Sequence, residues 1–138
     1  KNDFLGIAKV VERTIEHDED YAIRNIVILD LFHERARVDL AKNSYEESIQ
    51  ICRSLDERSR LSCIEGLAGG HMKYGEPEKE YVKGLALCNS GILLQDEKEV
   101  CFQHILSRLR IWYSQEKSEK ICSMVDTAYQ KFCNLARQ

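Results

Sequence analysis

The stretch that decides the fold is YEESIQICRSLDERSRLSC, residues 45–63. A second stretch, YVKGLALCNSGILLQDEKEVC at residues 81–101, repeats its beginning: a tyrosine, apolar residues four and six positions later, then a cysteine. Tyr45 and Tyr81 are 36 positions apart. A period of this length is typical of stacked helix-hairpin repeats. A third unit keeps Ile121-Cys122 and the cysteine spacing but replaces other apolar positions with polar residues, as the cap of a helical stack requires.

The six cysteines form three local pairs, whose members are separated by ten, twelve and ten residues. Residues eleven apart on one straight helix lie roughly 16 Å from each other, too far for a disulfide, so the chain must turn between them. The predicted bonds are Cys52–Cys63, Cys88–Cys101 and Cys122–Cys133, each across the top of a helix hairpin. Six cysteines allow about 15 connectivities. The alternative is six reduced cysteines that serve as small core hydrophobes.

Apolar residues recur at three- and four-residue spacing along almost the whole chain, which predicts an all-α fold of about seven to eight helices. The second helix carries an apolar face of Ile23, Ile26, Val27, Phe32 and Leu40. A sixth helix is predicted over 96–114. The sequence predicts one domain, 1–138. It divides into a cysteine-free helix pair at 1–44 and cysteine-paired hairpins at 45–76, 77–116 and 117–138, the last a degraded cap.

Composition excludes several classes of protein. The 138 residues carry a net charge of −3, with 20 basic and 23 acidic side chains, so no excess of positive charge suggests a nucleic-acid partner. The longest apolar runs fall far short of the ~20 residues that span a bilayer. The sequence therefore predicts a compact domain with no nucleic-acid partner and no membrane span within this chain.

The repeated hairpins resemble tetratricopeptide-like arrays, although the consensus of that family is not met. Ala86-Leu87-Cys88 and Cys63-Ile64-Glu65-Gly66-Leu67 are similar to Leu-Cys and Cys-x-x-Gly signatures of uncharacterised cysteine-stapled helical repeats in prokaryotic cell envelopes. The likeness covers residues 45–138. It implies stacked antiparallel hairpins in a short right-handed superhelical array that binds partners on its concave face, and no catalytic residue carries over.

Two local patterns have a chemical and a structural interpretation. Gly66, Gly69 and Gly70 could cradle a phosphate, but they fall inside a helical pattern without a following Lys-Ser/Thr, which favours close helix–helix approach. Cys101 and His104 lie on one helical face and could bind a metal or form a nucleophile pair. Zinc-binding cysteines normally occur at closer spacing, and a disulfide would consume Cys101. No metal, cofactor or enzyme activity is predicted.

Trp112 and Tyr113, with Arg108 and Arg110, have the composition of a binding hot spot. Ile105, Leu109 and Trp112, however, form one helical stripe. The sequence therefore predicts that Trp112 packs in the core and that Tyr113 is the more exposed of the two.

The predicted function is a non-catalytic scaffold that binds a protein or peptide in an oxidising compartment, periplasmic or extracellular, because disulfides persist there. In stacked hairpins the first helix of each unit lines the concave side. The predicted partner-binding residues are the polar positions of those helices: Glu46, Glu47, Gln50, Lys79, Glu80 and Lys83. The alternative function is a carrier that holds a small apolar ligand in a cavity between helices.

Overall fold

The computed structural model describes residues 3–14 and 21–135, and these residues form nine α-helices and no strand. The helices are α1 (Phe4–Thr14), α2 (Tyr21–Lys42), α3 (Glu46–Arg53), α4 (Glu57–Lys73), α5 (Glu80–Cys88), α6 (Gln95–Leu106), α7 (Leu109–Trp112), α8 (Gln115–Met124) and α9 (Thr127–Gln130). The prediction of an all-α fold is confirmed.

The long helices α2, α4 and α6 lie side by side, with α4 in the middle. A Cβ atom on Gly66 would meet the backbone of Leu29, and one on Gly70 would meet that of His33, so α2 and α4 advance in the same direction. The helices α4 and α6 are also parallel, because an ion pair joins Arg60 to Asp96 near their starts and a hydrogen bond joins Glu65 to His104 further along. The short helices α3 and α5 run back between them.

Glycine allows α2 and α4 to approach closely. A Cβ on Gly66 would lie 2.3 Å from the carbonyl oxygen of Leu29, and one on Gly70 would lie 2.3 Å from that of His33. The two glycines are four residues apart, and both face α2. The predicted role of these two glycines in helix packing is confirmed.

The three predicted disulfides are present: Cys52–Cys63, Cys88–Cys101 and Cys122–Cys133. Their Cα atoms are 5.4, 5.4 and 6.3 Å apart, within the ordinary range for the bond. The first two join the end of α3 to α4 and the end of α5 to α6. The third joins α8 to the non-helical segment that follows α9. No cysteine is left as a free thiol.

A buried ion network joins α3, α4 and α6. Glu97 has no exposed surface, and its carboxylate accepts hydrogen bonds from Arg60 Nη1 at 2.8 Å and Arg53 Nη2 at 2.8 Å. Arg60 also binds Asp96 through Nη2, at 2.7 Å from Oδ2. Burying a charge is unfavourable unless it is paired, and here the opposite charges satisfy one another.

The apolar face predicted for α2 is wrong in the first half of the helix, although Phe32 is buried as predicted. Ile23, Ile26 and Val27 are exposed, whereas Arg24 and Ile28 are buried. The physical reason is that Arg24 donates from Nη2 to Asp56 Oδ1 at 2.9 Å. This bond allows the guanidinium to be buried, although a polar side chain is expected to face solvent. Asp56 is also the N-cap of α4, where its side chain accepts from the backbone of Ser59.

The last hairpin packs on α6. Tyr129 stacks on Phe102, with ring centroids 4.2 Å apart and an interplanar angle of 16°. The predicted sixth helix over 96–114 is broken: α6 ends at Leu106 and α7 begins at Leu109. After this break Trp112 and Tyr113 no longer continue the helical register of α6.

Candidate functional site

The six predicted partner-binding residues lie on or beside α3 and α5. Glu46, Glu47, Gln50, Lys79 and Lys83 are exposed, and Glu80 is half-buried. Three of them form hydrogen bonds with other residues of the protein. Glu47 Oε1 accepts from Arg35 Nη2 at 2.5 Å, Glu80 Oε1 accepts from the Tyr113 hydroxyl at 2.8 Å, and Lys83 donates to Asn43. The hydrogen bond from Arg35 lowers the pKa of Glu47 below its ordinary range.

Of the six, Lys83 reaches a polar cleft of about 240 Å³, which we call the Lys83 cleft. Its lining residues are Asp39, Leu40, Asn43, Ser44, Tyr45, His71, Lys83 and Ala86. Asp39 is only 2% exposed, and its Oδ1 accepts from Ser48 Oγ at 2.6 Å. Burial raises the pKa of Asp39 to about 6. The imidazole of His71 binds the carbonyl oxygen of Leu67 at 2.8 Å, and burial lowers its pKa.

A second, more apolar cleft of about 320 Å³ opens on the other side of α4, between α2, α6 and α7. We call it the Trp112 cleft. Its lining residues are Leu29, His33, Gly69, Met72, His104, Ile105, Arg108, Ile111 and Trp112. Trp112 is 38% exposed and Ile111 is 77% exposed. Exposed aromatic and aliphatic side chains beside a cleft are the usual composition of a recognition surface.

The burial predicted for Trp112 and Tyr113 is wrong. Trp112 is the exposed side chain of the two, and Tyr113 is buried. Tyr113 is 7% exposed; its hydroxyl donates to Glu80 and accepts from the backbone nitrogen of Tyr81 at 3.0 Å. The break after Leu106 removes the continuous helical register that the sequence argument assumed. Leu109 remains in the core, while Trp112 turns to the wall of the cleft.

Two histidines from different helices meet at the Trp112 cleft. His33 comes from α2 and His104 from α6, and both rings lie over Gly69 of α4, where an added Cβ would fall 2.8 Å from His104 Nε2 and 3.0 Å from His33 Nε2. His104 Nδ1 lies 2.8 Å from Glu65 Oε2. This bond lowers the pKa of Glu65. Burial, followed by the charges of Lys73 and His104, lowers the pKa of His33.

The rim of the Trp112 cleft beside α7 is basic. Arg108 is exposed and donates from Nη1 to the carbonyl oxygen of His104 and to Ser107 Oγ, each at 3.2 Å. Arg110 is also exposed, but it does not line the cleft and binds Gln115 instead. The hydrogen bonds of Arg108 hold its guanidinium beside the backbone of His104 at the wall of the cleft, where it can meet an acidic group.

Cys101 cannot act as a free thiol beside His104, either as a metal ligand or as a nucleophile, since it is bonded to Cys88. Within 3–14 and 21–135, no three His, Cys, Asp or Glu side chains are grouped so as to hold a metal ion. Sequence reasoning missed His33 as a partner of His104. The only signal was Gly69, whose missing side chain leaves room for both rings.

No helix in the described part of the chain combines the length and the apolar character needed to cross a bilayer. Comparisons with protein-family models, curated proteins and solved structures give no match for this chain.

Proposed function

We propose that this chain is a non-catalytic domain that binds a protein or peptide in an oxidising compartment, periplasmic or extracellular. The observation that carries the proposal is the Trp112 cleft, where Trp112 and Ile111 are exposed beside an apolar depression. Burying apolar surface contributes about 25 cal/mol per Å², and tryptophan and arginine dominate measured binding hot spots. A partner that inserts an apolar side chain would gain this energy.

The charges around the cleft suggest the kind of partner. Arg108 is exposed and lines the cleft. A segment with an apolar side chain followed by Asp or Glu would place its carboxylate near this guanidinium group, and arginine binds carboxylates with two parallel hydrogen bonds. The net charge of −3 disfavours a nucleic acid, whose phosphates need a positive surface.

The residues first predicted to bind the partner form the second candidate surface. Glu46, Glu47 and Gln50 on α3, with Lys79, Glu80 and Lys83 at α5, provide mixed charge but little exposed aromatic area. Glu47, Glu80 and Lys83 already bind other groups of the chain, so a partner would have to compete for them. We place the anchor at the Trp112 cleft because Trp112 and Ile111 are exposed there.

Two further features support the proposal. Parallel α2, α4 and α6 are the arrangement expected if the hairpins form a tetratricopeptide-like right-handed stack, which is also part of our proposal. The three disulfides are suited to an oxidising compartment, where each would contribute about 3 kcal/mol in the chain-entropy model. Since all six cysteines are bonded, no thiol is available as a nucleophile.

The carrier function remains the alternative. A carrier needs an enclosed apolar cavity, whereas the Trp112 cleft has a wall residue, Ile111, that is 77% exposed. A ligand in this cleft would stay in contact with water. This geometry favours a docking surface over a chamber for a free apolar molecule.

Selection from a random dodecapeptide display library tests the proposed function. We expect enrichment of peptides with an aromatic or large aliphatic residue next to Asp or Glu. Binding of these peptides should fall at least tenfold in Trp112→Ala and in Arg108→Glu, while the double variant Glu47→Lys/Lys83→Glu binds normally.

Three results would count against this assignment. Loss of binding in the double variant alone would move the site to α3 and α5. No enrichment over a Trp112→Glu variant would reject peptide binding at the cleft. Stoichiometric binding of dodecanoic acid that blocks the cleft, with no peptide enriched, would favour the carrier.

A further inference from the structure

We propose that His33 and His104 form a binding site for a divalent transition-metal ion at the Trp112 cleft. The two Nε2 atoms lie 3.0 and 2.8 Å from the position that a Cβ of Gly69 would take, so they are no further apart than the sum of those distances. A metal bound by two imidazoles sits about 2.0–2.1 Å from each nitrogen. Both atoms bind one ion when rotation of the rings brings them within ~4.2 Å of each other.

Glu65 prepares His104 for this role. Its Oε2 lies 2.8 Å from His104 Nδ1, and a carboxylate can only accept in that bond, so Nδ1 carries the proton. The lone pair of a neutral His104 is therefore on Nε2, the nitrogen near Gly69 and His33. A carboxylate behind a metal-binding imidazole is the usual outer partner, because it fixes the tautomer and makes the ring a better ligand.

His33 is suited to the same task. A metal binds the imidazole nitrogen that carries no proton, and His33 places its Nε2 3.0 Å from the same point above Gly69 that His104 Nε2 approaches. The charged residues around the pair come from α2, from α4 and from the break between α6 and α7. They are the cations Lys73 and Arg108 and the carboxylates Asp30, Glu34 and Glu65. The carboxylates offset the repulsion between a divalent ion and the two cations.

The type of ion follows from the ligands. Imidazole nitrogen suits Zn²⁺, Ni²⁺ and Cu²⁺, whereas Ca²⁺ and Mg²⁺ require oxygen ligands. The described residues offer two protein ligands here, so water entering the open cleft would complete the coordination. All six cysteines are bonded, so no thiol competes for the ion. This inference is independent of the proposed peptide-binding function.

Trp112 gives a direct readout, because it is the only tryptophan and lines the same cleft. We expect Cu²⁺ to quench its fluorescence saturably in the full, oxidised chain, with recovery on adding EDTA. Calorimetry with Ni²⁺ at pH 7.5 should show one site. His33→Asn and His104→Gln should each weaken binding at least tenfold, and Glu65→Gln should weaken it about 10–100-fold.

His17→Ala is the matched control, since it removes a histidine distant in sequence from both ligands, and it should bind like the unaltered protein. Far-UV circular dichroism checks that each variant folds, and His33→Asn leaves the Glu65–His104 pair untouched. Unchanged Ni²⁺ affinity in His33→Asn/His104→Gln would overturn the proposal. So would loss of binding in His17→Ala, or quenching that rises linearly without saturation.

Discussion

Arg60 and Glu97 form an ion pair across the interface of α4 and α6, with Nη1 2.8 Å from Oε2 and no exposed surface on the glutamate. Arg53 from α3 binds the other oxygen of the same carboxylate. One side chain thus connects a hairpin to the beginning of the next. Burial acts to raise the pKa of Glu97, but hydrogen bonds from Arg53, the backbone of Leu94 and Arg60 lower it overall.

Glu97→Ala should be strongly destabilising, because it leaves two arginines at least partly buried without their shared partner. Breaking a buried pair in this way costs about 3–5 kcal/mol. Urea denaturation measures the change. Asp96→Ala is the control: Asp96 binds the same Arg60, but its side chain is 49% exposed, so its loss should cost about 1 kcal/mol or less. Equal losses in the two variants would contradict the role given to Glu97.

Gly66→Ala and Gly70→Ala should each destabilise the protein, since the added methyl would meet a backbone oxygen at 2.3 Å and push α2 away from α4. Such overpacking typically costs about 1–3 kcal/mol. Gly91→Ala is the matched control, because nothing lies within 4 Å of its added Cβ and its φ is not positive. It should be neutral or slightly stabilising. Thermal melts distinguish these outcomes, and a Gly91→Ala as harmful as Gly66→Ala would refute the packing argument.

Asp39 should make folding stability depend on pH. Its pKa rises from 3.8 to about 6 in the folded state because of burial, so the folded protein binds the proton more tightly than the unfolded chain. This contribution is therefore fully present below pH 4 and is lost as pH rises through 6. At about 1.4 kcal/mol per pKa unit, the loss is up to ~3 kcal/mol.

Asp39→Asn isolates this effect from the other carboxylates, whose lowered pKa values act in the opposite direction. The amide cannot ionise but can still accept from Ser48. We expect the variant to gain stability relative to the unaltered protein between pH 4 and 6.5, as measured by urea denaturation at a series of pH values. A constant difference across this range would show that Asp39 titrates normally.

Reduction of the disulfides should loosen the C-terminal end first. The helices α8 and α9 contact only α6, α7 and each other among the larger interfaces, whereas α2 packs along the whole of α4. Each bond is worth about 3 kcal/mol, a large part of the 5–15 kcal/mol that stabilises a typical domain. Hydrogen exchange in reductant should therefore show residues 115–133 losing protection before residues 21–42. Simultaneous loss would indicate one cooperative unit.

The sequence predicted well what local spacing controls. The three disulfides and the closely packed Gly66 and Gly70 follow from periods of a few residues. It failed where a tertiary partner decides burial. Arg24 is buried because Asp56, far along the chain, receives its guanidinium, and Trp112 is exposed because a two-residue break turns α7.

The candidate site depends even more on contacts between distant segments. His33 and His104 belong to α2 and α6, and only the packing of both helices against α4 brings them together over Gly69. No spacing along one helix contains that information. A sequence reader can find each histidine but cannot pair them without the order and direction of the three helices.

The pairing of the cysteines also bears on how the protein is made. Each disulfide joins a cysteine to the next one along the chain, at a separation of 11, 13 or 11 residues. During synthesis from the N-terminus, the correct partner is therefore the next of these six cysteines to emerge. Oxidation in that order needs no reshuffling by an isomerase, and whole hairpins could be gained or lost in evolution without leaving an orphan thiol.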